Sequence, residues 1–301
     1  MRRNSRWPYT TSSYSPKRRT SRRAPMPELP EVEAVRKALE PLVTGKRIAH
    51  ARVVHPIAVR PQTPAAFARA VEGQTIRGVQ RRAKYLLLQL DRGWLVVHFM
   101  LDGQLTLLPA GENAPHSCVC LTLEGRKSTV LGFVDLRHFG RMRYADDPAS
   151  IRGLRRVGIE PLSRAFTPAA LGSLLSASRR PLKLLLMDQS RIAGLGNIYS
   201  SEALWRARLS PRHRSDRVGA ARMRALHKAI VGVLRAALEC CVAPPPDFRD
   251  PQWWFQGLDR ILRVYGREGR ACRRCGPAAP RGIRRITQSG RSTYFCPNCQ
   301  K

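Results

Sequence analysis

The sequence predicts an α+β multidomain chain: an N-terminal helix and a β-sandwich or barrel, then a helical domain, then a small C-terminal zinc finger. Three observations predict it. Near residue 47 the apolar residues switch from a helical period to short β-branched runs, and after residue 167 they return to helical stretches. Two Cys-x-x-Cys pairs, Cys272 with Cys275 and Cys296 with Cys299, stand twenty residues apart at the C-terminal end. The 301 residues suffice for two ordinary domains and a small module, expected at 27–150, 160–262 and 263–301 behind a basic leader over 1–26.

The leader, "MRRNSRWPYTTSSYSPKRRTSRRAP", has no apolar period, eight Lys/Arg and no acid. Such a segment cannot bury enough surface to offset the entropy of ordering it, so disorder is expected there. Its composition resembles an organelle transit peptide, and an upstream, misassigned start codon explains it equally well. Either reading starts the fold near Met26.

After "PELPE", Val32, Val35, Leu39 and Leu42 mark one face of an amphipathic helix that Thr44-Gly45 ends. From Arg47 to about Tyr144 the runs "IAHARVVHPIAV", "TIRGVQRRAKYLLLQL", "WLVVHFM", "SCVCLTLE" and "STVLGFVDL" are split by Gly, Pro and Asp, the spacing of a sandwich or barrel. Cys118 and Cys120, two apart in one strand, share a face and read as buried, inert thiols. A stretch broken by Gly and Pro, 146–167, marks a boundary. "PAALGSLLSAS", "PLKLLLMD", "NIYSSEALWRARL" and "GAARMRALHKAIVGVLRAALECC" then give four helix candidates. The last segment is too small for a core of its own and needs a staple.

Lys and Arg outnumber Asp and Glu by 54 to 21, a net charge of +33, which points to a polyanion, nucleic acid foremost. Coding bias is the bland alternative, yet bias alone seldom leaves so few carboxylates. No run of apolar residues offers a membrane span or a secretory signal, so a cytoplasmic protein without a membrane partner is expected. In a reducing compartment, paired Cys-x-x-Cys units are metal ligands more often than disulfides.

The four cysteines therefore read as ligands of one structural Zn2+, since catalytic zinc keeps a position open. Arg281, Arg284, Arg285 and Arg291, with Tyr294 and Phe295, lie between the pairs on a segment able to lie on phosphates. In "IAGLGNIYSSEALW", Gly194 and Gly196 permit a tight turn and Asn197 is placed to cap the next helix, leaving amides free for a phosphate; an ordinary connection reads the same. In "DLRHFG", Arg137 and Phe139 at a loop tip could fill the gap left by an extruded base, although a buried Phe beside a surface Arg is the plainer explanation. Were Pro27 the first residue of the working chain, its nitrogen would be a secondary amine with a pKa of about 8, able to attack a sugar carbon. The iminium so formed has no N–H to lose. It stays cationic and acidifies the neighbouring sugar proton, with Glu28 in reach as acid or base.

Together, "PELPEVE", "GLGNIY", "VYGREG" and "YFCPNCQ" resemble the formamidopyrimidine-DNA glycosylase family over residues 27–301. The resemblance implies a monomeric bacterial base-excision enzyme that acts on damaged double-stranded DNA. Its fold would be a two-domain clamp: a β-sandwich with its N-terminal helix, a helix-two-turn-helix domain and a zinc finger. It implies Pro27 as nucleophile, Glu28 as proton-transfer partner and Lys84 as a phosphate-binding lysine beside the lesion. Leu101, Arg137 and Phe139 would form the intercalating triad, Lys183 and Asn197 would contact the DNA backbone, and Arg291 would grip the flanking phosphates. Excision of oxidised purines followed by strand cleavage through β,δ-elimination is the activity implied. Endonuclease VIII-like excision of oxidised pyrimidines is the alternative, and a retained leader would leave a damage-binding protein without catalysis.

The chain departs from the family pattern in four places. "HLGMSG" is "HFMLDG" and "DPRRFG" is "DLRHFG", so Leu101 stands for the usual Met and His138 for a second Arg. A lesion loop of the type "SDGKPGYFQ" is replaced by "PPPDFRDPQWWFQG", which affects preference for 8-oxoguanine, and "PAAPRG" lengthens the finger hairpin.

Overall fold

The computed structural model describes residues 26–112, 114–125, 128–242, 248, 249, 253 and 257–301. The expected disorder of the leader, and most of the altered lesion loop, lie outside the described residues.

Helix α1 spans Leu29–Val43 and opens with a capping box, in which Glu28 and Glu31 each accept the other's backbone N–H. Its buried stripe is Val32, Val35, Leu39 and Val43, while Leu42 is exposed. The expected stripe thus fails at its last member, because eleven residues match three turns of a 3.6-residue helix better than ten.

The sandwich follows as β1 (Ile48–Val53), α2 (Pro64–Val71), β2 (Gly78–Arg82), β3 (Tyr85–Gln89), β4 (Trp94–His98), β5 (Gln104–Pro109), β6 (Ser117–Leu123), β7 (Thr129–Val134) and β8 (Arg141–Ala145). Two four-stranded antiparallel sheets result, β1-β6-β7-β5 and β2-β3-β4-β8, with a shared apolar core between them. Helix α2 interrupts a region where only strands are expected. Thr63 caps it by accepting the Ala66 N–H, Pro64 starts it, and Phe67 and Val71, one turn apart, bury. Cys118 and Cys120 are buried in β6, as their spacing suggests.

A short helix, α3 (Arg152–Arg155), precedes the helical region α4 (Pro168–Ser176), α5 (Leu182–Leu186), α6 (Asn197–Arg206) and α7 (Ala220–Val242), which matches the four helix candidates. These helices bury a second apolar core. Helix α1 packs on both β2 and α7, and Ile261 and Leu262 touch both cores, so the two regions share a seam. The C-terminal hairpin pairs β9 (Arg284–Gln288) with β10 (Arg291–Phe295) across Ser289-Gly290, both of which have positive φ, as a two-residue turn requires. No helix among the described residues is long and apolar enough to cross a membrane.

Candidate active site

The seam gathers buried polar groups from four distant segments. Glu28, at the head of α1, is 2 % exposed, and its carboxylate accepts the Gly196 N–H at 2.6 Å and the Ile198 N–H at 2.8 Å. It therefore occupies the positive end of α6. Two expectations are corrected here. Asn197 is not the cap; Gly196 holds that position and Asn197 is the first helical residue. The anion at these amides is the protein's own carboxylate and not a phosphate, because α1 delivers Glu28 there from 168 residues away.

The geometry needs glycine. Gly194 adopts φ +77° and gives its carbonyl to the Leu29 N–H, and a Cβ on it would lie 2.7 Å from the Leu29 Cβ. A Cβ on Gly196 would lie 2.5 Å from both the Glu28 carboxyl and the Lys84 Nζ, which also shows how close the lysine comes.

Lys84 follows Ala83 in the tight turn between β2 and β3, and it is buried. Burial pulls its pKa down, the charges of Glu28 and Glu31 oppose this, and Arg291 adds to it. Burial likewise pushes the Glu28 carboxyl up against Lys84 and the amides of Ile198 and Gly196. Glu31, fully buried, is pushed up to about 7 by burial and by the Glu28 charge, and the Tyr199 hydroxyl bonds to it. Pro27 is buried directly before Glu28. The cluster thus holds a carboxyl pair and an amine whose protons are exchangeable closer to neutrality than in free side chains.

Glu160, from the boundary segment, was not legible as a functional residue. Its carboxylate accepts the Ala83 N–H at 2.6 Å and two Arg81 N–H groups at 3.0 Å each, so it fixes the turn that carries Lys84. Burial opposes its ionisation, but Arg81 and the Ala83 amide hold its pKa below the usual carboxylate value. Arg81 also reaches Glu33 of α1.

Lys183, expected at the DNA backbone, is 0 % exposed. Its ammonium donates to Asn197 Oδ1 at 2.6 Å, Thr293 Oγ1 at 2.8 Å and the Ser292 carbonyl at 3.3 Å. Asn197 Nδ2 donates to the same carbonyl at 2.9 Å. Both side chains thus bind β10 and hold the hairpin against α6, with Arg291 exposed at the start of that strand. Burial lowers the Lys183 pKa to about 7 against the Glu28 charge.

The four cysteine sulfurs lie within 4.8 Å of one another. Cys272 and Cys299 are 4.0 Å apart and Cys275 and Cys296 3.8 Å. Zinc–sulfur bonds of about 2.3 Å give tetrahedral edges of about 3.8 Å, so the sulfurs fit zinc. Two further groups support them, one from α6 and one from between the first two cysteines. Trp205, at the C-terminal end of α6, donates its indole N–H to Cys272 at 3.3 Å. Arg274 stacks 4.0 Å over that indole and donates to Cys299 at 3.5 Å. Glu202 of α6 accepts the backbone N–H groups of Arg263, Val264 and Tyr265 between 2.8 and 2.9 Å, anchoring the segment that leads into the finger.

The triad residues stand apart from this cluster. Leu101 lies in the β4–β5 turn, half-buried; Arg137 and Phe139 lie in the β7–β8 turn, with Phe139 exposed. Arg137 pairs with Asp102. His98, just before the first turn, is half-buried, its pKa lowered to about 4 by desolvation and by the charges of Lys84 and Arg143.

Known proteins resemble this chain in sequence and in fold. The model of the formamidopyrimidine-DNA glycosylase N-terminal domain matches residues 26–142, and that of the same family's H2TH domain matches 157–242. The formamidopyrimidine-DNA glycosylase of Acidiphilium cryptum (strain JF-5) is 40 % identical over 280 residues, covering 92 % of this chain and 100 % of its own. That of Geobacillus kaustophilus (strain HTA426) is 38 % identical over 282 residues, with 92 % and 100 % covered. Among solved structures, the MutM (Fpg) protein of Thermus thermophilus superposes with a TM-score of 0.78 at 40 % identity over 91 % of this chain and 98 % of that one. The Lactococcus lactis Fpg (MutM) in complex with DNA containing N7-benzyl-Fapy-dG gives 0.81 at 28 % identity, covering 91 % and 100 %. Motifs, seam and zinc-ready cysteines agree with these matches, and the chain belongs to the formamidopyrimidine-DNA glycosylase family.

Proposed function

We propose that this protein is a DNA glycosylase and AP lyase that removes oxidised purines, formamidopyrimidines foremost and 8-oxoguanine with them, from double-stranded DNA. The observation that carries the reading is the buried seam, where Glu28, directly after the buried Pro27, lies against the head of α6 and beside Lys84. The L. lactis relative bound to a Fapy-dG derivative supports the substrate class.

In this reading the working chain begins at Pro27. The free amine bonds to C1′ of the damaged nucleotide as the C1′–base bond breaks and the base leaves with its electron pair. Glu28, with its raised pKa, moves the proton that this exchange requires. The amine gives up its proton, and the sugar ring then opens: the C1′–O4′ bond breaks, O4′ takes a proton and the nitrogen lone pair makes the iminium. Loss of the C2′ proton from the iminium expels the 3′ phosphate, and a second elimination expels the 5′ phosphate. Lys84 and Arg291 hold the phosphates beside the lesion, while Leu101, Arg137 and Phe139 fill the gap in the stack. Lys183 and Asn197 keep the hairpin, and with it Arg291, in position. Cys272, Cys275, Cys296 and Cys299 hold one zinc, which supplies a structural staple and takes no part in the reaction.

Borohydride trapping on an oligonucleotide with an abasic site, followed by N-terminal sequencing of the adduct, tests this. The expected result is a covalent adduct whose first residue is Pro27. An adduct that retains the arginine-rich leader would overturn the assignment and point to another amine, Lys84 foremost.

A further inference from the structure

The turns 99–103 and 135–140 meet at one edge of the sandwich. Arg137 donates from Nε and Nη2 to the two carboxylate oxygens of Asp102, the Nη2 bond being 2.7 Å long. The Arg137 backbone N–H is fixed separately by Asp135 at 3.1 Å, and the guanidinium carbon lies 5.7 Å from the centre of the Phe139 ring. Met100, Leu136 and Phe139, at 39, 60 and 46 % exposure, are three of the five exposed large hydrophobic side chains among the described residues. This edge is therefore where the molecule offers apolar surface for insertion. Asp102 stands where the family pattern "HLGMSG" carries serine.

A side-on carboxylate fixes the plane of the guanidinium and uses only one of its edges. The opposite edge, Nη1 with the second Nη2 proton, has no hydrogen-bond partner among the described residues and is available as a two-donor fork. Inside an intact stack the Watson–Crick acceptors are already paired, whereas a base whose partner has been extruded or lost presents unpaired acceptors to such a fork. The same carboxylate cancels one positive charge that would otherwise seek phosphates on any DNA. Both effects favour damaged over intact duplex.

We propose that Asp102 is a specificity-determining positioning residue: it presets Arg137 for the unpaired base and suppresses binding to undamaged DNA. The inference rests on the DNA-repair reading above. The test measures affinity for two duplexes, one intact and one with a tetrahydrofuran abasic analogue, over a range of salt. Asp102→Ser and the nearly isosteric Asp102→Asn should each weaken the abasic duplex roughly three- to tenfold. Each should tighten the intact duplex, with a salt dependence steeper by about one phosphate. In an Arg137→Ala background, Asp102→Ser should no longer weaken the abasic duplex. Equal weakening in that background, or unchanged abasic affinity in both single variants, overturns the inference. Wild-type protein that discriminates irrespective of residue 102 removes only this role of Asp102, whereas wild-type protein that binds both duplexes equally removes the repair reading as well.

Discussion

The seam around Glu28 and the edge turns around Arg137 serve one proposed reaction but are held by different means. In the seam, Glu28 and Lys183 are buried and Glu160 half-buried, and each bonds across segments far apart in sequence: Glu28 to α6, Lys183 to β10, Glu160 to the Lys84 turn. At the edge, apolar side chains face solvent, Met100 and His138 sit at φ +54° and +57°, and one ion pair joins the turns. Two of the four departures from the family pattern fall at the edge and none in the seam. "PELPEVE" and "GLGNIY" stand intact in the seam, while "HFMLDG" and "DLRHFG" are altered at the edge. A site whose carboxylates and lysine are held by bonds from several segments has little freedom to adjust, whereas an exposed wedge needs only bulk and reach.

The sharpest way to break this contrast is Gly196→Ala. The added methyl meets both the Glu28 carboxyl and the Lys84 Nζ at 2.5 Å, so both must move, by about an ångström. Displacement of that size at a reacting centre costs on the order of a hundredfold in rate. Single-turnover excision on a lesion duplex should fall by about that factor while the protein still melts cooperatively. A loss below about tenfold would mean that the seam adjusts as freely as the edge.

The next effect concerns the anchor between α6 and the finger. Burial pushes the Glu202 carboxyl up to about 7 from 4.5, with the Tyr265 and Val264 amides opposing. Below about pH 4.5 both folded and unfolded chains hold this proton. Between there and about 7 the unfolded chain loses it while the folded chain keeps it, so stability falls as pH rises through that window and is flat above it. The shift corresponds to at most on the order of 3 kcal/mol. Urea unfolding on either side of the window should show Glu202→Gln with the flatter profile. An identical slope in both proteins would show that Glu202 titrates normally in the fold.

Much of this was legible in the sequence where the signal is local. The four-cysteine cluster, the sandwich and the four helix candidates all follow from spacing, period or motif. The Glu28-x-x-Glu31 capping box was there to be found in "PELPE". Long-range partners were not legible: nothing near Glu160 or Trp205 announces that one fixes a turn 77 residues earlier and the other bonds a cysteine 67 residues later. The Asn197 cap failed for the same reason, since a local rule cannot know that α1 brings a carboxylate to those amides and that β10 takes the Asn side chain.

The smallest effect sharpens the contrast from the other side. Leu101 is half-buried in an edge turn, and Leu101→Met restores the family's residue at nearly constant volume. Volume-conserving apolar exchanges cost less than about 1.5 kcal/mol even in packed cores. At an exposed wedge, the rate of excision and the affinity for abasic duplex should therefore change by less than about fivefold, against about a hundredfold for Gly196→Ala. Filling an unstacked gap needs apolar volume near the right place, which a branched and an unbranched side chain both supply. If Leu101→Met instead shifts either quantity by more than tenfold, the wedge is specified as tightly as the seam, and burial does not separate the two.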